Sequence, residues 1–201
     1  NLYHALDDLQ DPRLKWLNLK RLADLLVSRR SQQVVLVRYF TAFANHFAPT
    51  SERDKLLRHR AYVAALAAKG VQVHLGTFAK RDRYFSGRGY KARWRRYEEK
   101  QTDVAIGVRL LDDAYQDRFD RALVVGVDSD LVPAFAAVRA AFPQKSLVSV
   151  APPKRAHHRD IQSVATDTVV IKVSQVEKAL LGERVVSGGR VVARRPAAYR
   201  P

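Results

Sequence analysis

The sequence predicts an α/β fold in which a mostly parallel central sheet is covered by helices on both faces. Short apolar runs rich in β-branched residues alternate with longer stretches at helical spacing, and strands separated by helices favour parallel pairing. The 201 residues are 47% hydrophobic, which is enough to bury the core of one domain. The chain has no cysteine, so disulfides and thiolate metal sites are excluded.

The first half of the chain alternates between helices and strands. Its predicted elements are a helix over 16–28, a strand over 34–40, a helix over 51–69 and a strand over 71–78. Gly70 suits the stop of the second helix. Apolar residues alternate in the second strand, so Val71, Val73 and Leu75 are expected to point into the core. Residues 78–89, with two glycines and several charges, are expected to form a flexible loop.

The second half continues this alternation. Its predicted elements are a helix starting at 103, a strand over 123–127, a helix over 131–142, a strand over 146–150, a short helix over 160–166 and a last strand over 169–173. In the first of these helices Thr102 is the expected N-cap. Val104, Val108 and Leu111 recur at helical spacing, so they are expected to form its apolar face.

Two aspartates follow directly on the strand over 123–127. In open parallel sheets, ligands bind in the crevice beyond the carboxyl ends of the strands, where Asp128 and Asp130 are expected. Pro133 suits the first turn of the next helix and Asp130 suits its N-cap. Capping accounts for one aspartate only. Two carboxylates held close repel each other unless a divalent cation lies between them, so a metal site and a solvated turn are both open here.

Asp103 places a third acid at the same end of the sheet. The helix macrodipole favours a negative charge in the first turn, so Asp103 alone has a sufficient structural explanation. The chain order is an acidic helix start, a helix, a strand and an acidic strand tip. This order is that of one repeat of the α/β fold, and it favours a shared acidic site.

Basic residues are concentrated in two segments. The chain has 36 Lys and Arg against 20 Asp and Glu, and its formal charge of +16 attracts polyanions. Lys91, Arg93, Trp94 and Arg95 belong to a run that interleaves cations with aromatic rings, a pattern that suits phosphates and unpaired bases. The alternative is a charged edge strand with the indole in the core. The second segment, 182–201, is expected to be a largely disordered basic tail after a domain over 1–181.

The loop over 151–159 contains two adjacent histidines. His157 and His158 are candidate zinc ligands or an acid and base, but neighbouring residues in an extended segment point apart and no cysteine accompanies them. A solvated basic loop is the better account of this segment.

Several of these motifs, taken together, resemble the NYN domain family, a branch of the PIN-like nucleases. The motifs are Glu98-Glu-Lys-Gln-Thr-Asp103-Val, Leu-Leu-Asp-Asp-Ala-Tyr115, Phe119-Asp-Arg-Ala-Leu-Val-Val125 and Asp128-Ser-Asp130-Leu-Val-Pro133. Asn1-Leu-Tyr-His-Ala-Leu6 is similar to the remainder of the family's first motif. The resemblance implies a PIN-like three-layer sandwich. The family's first strand, with its catalytic aspartate, is expected upstream of Asn1, and the chain contains no methionine.

The resemblance further implies a ribonuclease that hydrolyses RNA with Mg²⁺ or Mn²⁺ as cofactor. Asp103, Asp128 and Asp130 would hold the metal. Asn1 would orient a ligand of the metal, and Glu99 is a further acidic candidate. Nucleic-acid contacts are expected from one basic run: Lys91, Arg93, Trp94, Arg95 and Lys100.

The alternative is an RNA-binding regulatory protein of the same fold with weak or no catalysis. Val127, which stands where the family has a small residue, and the incomplete first motif favour this alternative, whereas the three aspartates oppose it. A phosphotransferase is disfavoured because Asp128 follows a late strand. The expected partner is single-stranded RNA, with a homodimer compatible with the sequence. A cytoplasmic, bacterial protein without a membrane span is expected from the composition.

Overall fold

The computed structural model describes residues 2–43, 50–87, 90–126 and 128–200, and among these it describes the side chains of 2–43, 53–78, 101–126 and 128–200. The helices are α1 (Leu2–Asp7), α2 (Leu19–Leu26), α3 (Thr50–Ala67), α4 (Thr102–Tyr115), α5 (Val132–Ala141), α6 (Arg159–Val164) and α7 (Val173–Lys178). The strands are β1 (Arg38–Thr41), β2 (Gln72–Leu75), β3 (Thr77–Gly87), β4 (Tyr90–Lys100), β5 (Arg121–Val125), β6 (Ser146–Ala151), β7 (Asp167–Val170), β8 (Arg184–Ser187) and β9 (Arg190–Arg194). Short 3-10 turns lie at Pro12–Lys15, Ser129–Leu131 and Ala197–Tyr199.

The parallel sheet β5–β6–β7 organises the part of the molecule that holds the acidic residues. Strand β6 lies in the middle, with Leu123 opposite Val148 on one side and Val150 opposite Val169 on the other. The amide of Gly126 donates to the carbonyl of Val150 at 3.1 Å, which extends the pairing one residue past β5. The predicted parallel pairing of strands in an α/β fold is confirmed.

Layers of helix cover both faces of this sheet. Side chains alternate along β6, so Val148 and Val150 pack with Leu6, Leu14 and residues of α2 and α7, whereas Leu147 packs with residues of α4, α5 and α6. These two clusters of buried apolar residues are the cores above and below the sheet. The arrangement is the predicted three-layer sandwich.

A second parallel pair and a long hairpin precede α4. Strand β1 pairs with β2 from Arg38 opposite Gln72 to Thr41 opposite Leu75. Strands β3 and β4 pair antiparallel over their whole length, with Thr77 opposite Lys100. The prediction of a flexible loop over 78–89 is therefore wrong, because eleven residues from Thr77 to Gly87 form a strand.

The basic carboxyl-terminal segment is also ordered, so the prediction of a disordered tail over 182–201 is wrong. Strands β8 and β9 form an antiparallel hairpin, and its Val185 and Ala193 are buried with Trp16 and residues of α3. The indole nitrogen of Trp16 donates to the carbonyl of Gly182 at 2.9 Å. The tail is ordered because Val185 and Ala193 pack with Trp16, which is far away in the chain.

Three residues that were predicted to be buried are exposed in the structure. Val71 is buried as predicted, but Leu75 is 56% exposed because it lies at the end of β2. On α4, Val104 and Val108 are 69% and 59% exposed, while Leu110 and Ala114 are buried against α5. The apolar spacing identified the helix but not the face that its neighbours cover.

Most predicted helices and strands agree with the structure to within a few residues. The predicted helix 16–28 is shorter in the structure because a 3-10 turn precedes it and Asn18 caps α2. Helix α3 ends before Gly70, whose φ of 80° is the left-handed conformation that glycine favours. The last parallel strand begins earlier than predicted, and helix α7 after it was not predicted. Within the described ranges, no helix is both long and apolar enough to cross a membrane.

Candidate metal centre

Three aspartates from two separate segments of the chain come together at the carboxyl end of β5. Asp103 belongs to the first turn of α4, and Asp128 and Asp130 belong to the turn that follows β5. One carboxylate oxygen of each lies within 4.8 Å of those of the other two. None of the three side chains is buried, so water and a ligand can reach the cluster.

The turn after β5 fixes the positions of Asp128 and Asp130. Asp128 has extended backbone and caps the 3-10 turn Ser129–Leu131, and its Oδ1 accepts a hydrogen bond from the amide of Asp130 at 3.1 Å. Pro133 lies in the first turn of α5, as predicted. The prediction that Asp130 is the N-cap of α5 is wrong, since Leu131 is at that position and Asp128 caps the 3-10 turn before it. One oxygen of Asp128 is thus held by the backbone, which orients the carboxylate.

The start of α4 positions Asp103. The N-cap is Gln101, not the predicted Thr102, and Gln101 has a φ of 73°. Its carbonyl accepts from the amide of Ala105 at 2.8 Å. Helix α4 packs closely on α5 at Gly107, where an added Cβ would lie 3.1 Å from the Cβ of Ala134. This close approach fixes Asp103 relative to the turn after β5.

The electrostatics of the cluster favour a bound cation. Among residues whose side chains the structure describes, no cation lies within ion-pair distance of Asp128 or Asp130. Carboxylates this close repel one another in the ionised state. Mg²⁺ and Mn²⁺ prefer hard oxygen ligands, and three carboxylates from two rigid elements are such a donor set. The chemistry of the three aspartates therefore fits a divalent metal.

A different acidic group lies at the other end of α4. Asp113 is buried and accepts from Arg38 Nε at 2.8 Å and Nη2 at 2.6 Å, and from Arg118 Nη1 at 2.8 Å. Burial alone would raise the pKa of Asp113, but the hydrogen bonds from the two arginines outweigh it and the pKa is lowered. The ion pair joins β1 to α4 and so supports the helix that presents Asp103.

A small cavity lies next to Asp103. It has a volume of about 80 Å³ and lies between the ends of β1 and β2 and the start of α4; its lining includes Phe40, His74, Gln101 and Thr102. Burial, together with the charges of Arg38 and Arg109, lowers the pKa of His74, although Asp113 opposes the shift. The imidazole is therefore neutral at pH 7.

The remaining predicted site residues stay predictions. Asn1 and Val127 lie outside the described residues. Glu99 and the predicted nucleic-acid contacts Lys91, Arg93, Trp94, Arg95 and Lys100 lie on β4, whose side chains are outside the described ones. The backbone of this basic run forms β4, which leads through Lys100 directly into the start of α4.

Sequence reasoning missed one polar pair at this end of the sheet. His157 Nδ1 lies 3.0 Å from the hydroxyl of Ser149, which is buried on β6, and His157 Nε2 is buried with no partner in the described part of the chain. The solvated loop predicted for His157 is wrong, whereas His158 is exposed as predicted. The available signal was Ser149, a hydroxyl inside an otherwise apolar strand.

Comparison with known proteins gives one match. The model of a family described as NYN domain matches residues 1–172, which include α1 to β7, the three aspartates and the cavity beside them. Neither the search of curated proteins nor the search of solved structures returned a significant match. The matched range ends before the hairpin of β8 and β9.

Proposed function

Since the chain belongs to the NYN domain family and has the PIN-like α/β fold of that nuclease family, we propose that it is a metal-dependent ribonuclease whose centre is Asp103, Asp128 and Asp130. The observation that supports this proposal best is the convergence of three carboxylates within 4.8 Å at the carboxyl end of a parallel strand. No cysteine is present, and the hydrolysis proposed here needs no side-chain nucleophile.

In this proposal the three aspartates supply their ligand oxygens from different positions in the fold. Asp128 keeps one oxygen on the amide of Asp130, so its other oxygen is the one directed to a cation. Asp103 supplies a carboxylate from the first turn of α4, and Asp130 supplies one from the exposed turn after β5. When bound, Mg²⁺ or Mn²⁺ activates water and stabilises negative charge on the scissile phosphate.

The basic residues of β4 supply the affinity for RNA. Residues 79–100 contain nine basic and three acidic residues, and the strand ends where α4 and Asp103 begin. Cations neutralise backbone phosphates, and aromatic rings stack on unpaired bases. We therefore assign the substrate to single-stranded RNA, with Lys91, Arg93, Arg95 and Lys100 on its phosphates and Trp94 on a base. Glu99 and Asn1 complete the proposed site.

The decisive experiment separates cleavage from binding. Labelled single-stranded RNA is incubated with the protein and Mn²⁺, with and without EDTA, and binding is measured in parallel. Asp128→Asn is compared with Asp112→Asn, which changes a partly exposed aspartate on α4 in the same chemical way. We expect Asp128→Asn to lose at least about 100-fold in cleavage with RNA affinity retained, because one carboxylate ligand is removed.

Two results would contradict the proposal. If the protein and Asp128→Asn bind RNA equally and neither cleaves it, the protein is an RNA-binding regulator with the same fold. If Asp128→Asn cleaves at the rate of Asp112→Asn, the acidic cluster is not the catalytic centre.

A further inference from the structure

The cavity beside Asp103 has the size of a site for a single flat ring. Its volume of about 80 Å³ is several times what one water molecule needs, and well below the several hundred Å³ of a pocket for a drug-sized molecule. Gln101 and Thr102, on one wall, directly precede Asp103 in the chain. A ligand in this cavity therefore lies next to the acidic cluster.

Two of the residues that line the cavity carry aromatic rings. Phe40 and His74 are opposite each other on β1 and β2, and their rings stack with centroids 4.8 Å apart and an interplanar angle of 15°. Both side chains are only partly buried. Flat aromatic surfaces bind nucleobases by stacking, and every base has such a face.

The polar groups around the cavity suit the edge of a base. Arg38 Nη1 lies 3.1 Å from His74 Nε2, and a guanidinium can only donate, so Nε2 accepts and the ring proton is on Nδ1. Gln101 is exposed, and its side chain makes no cap hydrogen bond to α4. Within the part of the chain whose side chains are described, one ring N–H and one amide are thus available beside the two aromatic rings.

We propose that this cavity, lined by Phe40, His74 and Gln101, binds one nucleobase of the RNA strand next to the scissile phosphate and gives the enzyme a base preference at that position. The inference rests on the proposed function for its substrate. Its distinct content is a subsite for a base, whereas the acidic cluster acts on the phosphate and makes no choice between bases. Stacking on Phe40 and His74 supplies the affinity for a base, and the amide of Gln101 distinguishes one base from another.

Gln101→Gly is the most informative variant. It removes the amide and places glycine at a φ of 73°, which glycine adopts without strain, so the fold is preserved or stabilised. Its matched control is Gln10→Gly, which makes the same change at a φ of 57° next to α1. Phe40→Leu removes the aromatic face and keeps an apolar side chain.

The first measurement is sequencing of the ends that the protein makes in a random single-stranded RNA pool with Mn²⁺. We expect a base preference of about tenfold at one fixed position beside the cut, reduced to less than about twofold in Gln101→Gly and Phe40→Leu and retained in Gln10→Gly. Cleavage without a base preference, or a preference that survives both variants, overturns the subsite and leaves the ribonuclease intact.

The second measurement does not depend on cleavage. Binding of nucleoside 5′-monophosphates and of ribose 5-phosphate is compared with Mn²⁺ present. We expect at least one nucleotide to bind about tenfold more tightly than ribose 5-phosphate, and this difference to disappear in both cavity variants. Equal binding of nucleotides and ribose 5-phosphate overturns the subsite. Base-dependent binding by a protein that does not cut RNA supports the subsite and rejects the nuclease.

Discussion

Helix α4 has an acidic group at each end, and the negative charge of the two groups is compensated in opposite ways. At its start, Asp103 meets Asp128 and Asp130 in a cluster of carboxylates that water can reach. Near its end, the buried Asp113 is held by Arg38 and Arg118. Nowhere in the described side chains does a cation come within ion-pair distance of Asp128 or Asp130.

The difference shows how to separate structural from functional carboxylates. A buried carboxylate with two guanidinium partners is neutralised within the fold, so its removal affects stability. Accessible carboxylates that lie a few ångströms apart repel one another when they are ionised, and a cation bound between them relieves this repulsion. The sequence around Asp112 and Asp113 is as acidic as that around Asp128 and Asp130, so composition does not make this distinction.

The largest expected effect on stability is at Asp113. Asp113→Asn leaves Arg38 largely buried without its charged partner, and we expect a loss of about 3 kcal/mol in the free energy of unfolding. Asp112→Asn, whose contacts to Arg109 and Arg118 are 3.4 Å long and more exposed, should lose less than about 1 kcal/mol. Urea unfolding measures both variants. Equal losses would mean that the buried ion pair of Asp113 stabilises the fold no more than the exposed contacts of Asp112.

An intermediate effect is expected from metal binding. Mn²⁺ at ten times its dissociation constant should raise the free energy of unfolding by about 1.4 kcal/mol, because it binds the folded cluster only. Asp130→Asn should lose most of this increment, whereas Asp113→Asn should keep it despite its lower stability. Urea unfolding with Mn²⁺ or EDTA at constant ionic strength provides the test. The same increment in Asp130→Asn would place the ion elsewhere.

The smallest expected effect is the dependence of stability on pH. The pKa of Asp113 is lower in the folded state than in the unfolded chain, so its contribution is complete above the ordinary aspartate pKa and is lost as pH falls through the folded value. The stability difference between the protein and Asp113→Asn should be constant from pH 7 to about pH 5 and shrink below that. Urea midpoints at pH 7, 5, 4 and 3 measure this difference; a difference that does not shrink in acid would exclude the ionised pair as its source.

Much of the fold follows from local pattern. The run over 123–127 predicted a buried parallel strand because β-branched residues suit one, and the structure has β5 there. Local sequence pattern gave wrong predictions where the structure of a segment depends on a partner that is distant in the chain. Residues 78–89 were predicted to be a loop because of their glycines and charges, yet residues 78–87 pair with β4. The basic tail was predicted to be disordered, yet its Val185 and Ala193 are buried with Trp16.

The sequence by itself determined that acids follow a buried strand, that a basic run precedes a helix, and that the chain has the motifs of the NYN domain family. These are properties of neighbouring residues. Only the tertiary structure decided how the charge of each acid is compensated and which packing holds the acids in place. Asp103 joins Asp128 and Asp130 because α4 packs on α5 at Gly107, and Asp113 is neutralised by Arg38, 75 positions away, because β1 packs beside α4. Charge and spacing are local, whereas neutralisation depends on contacts between elements far apart in the chain.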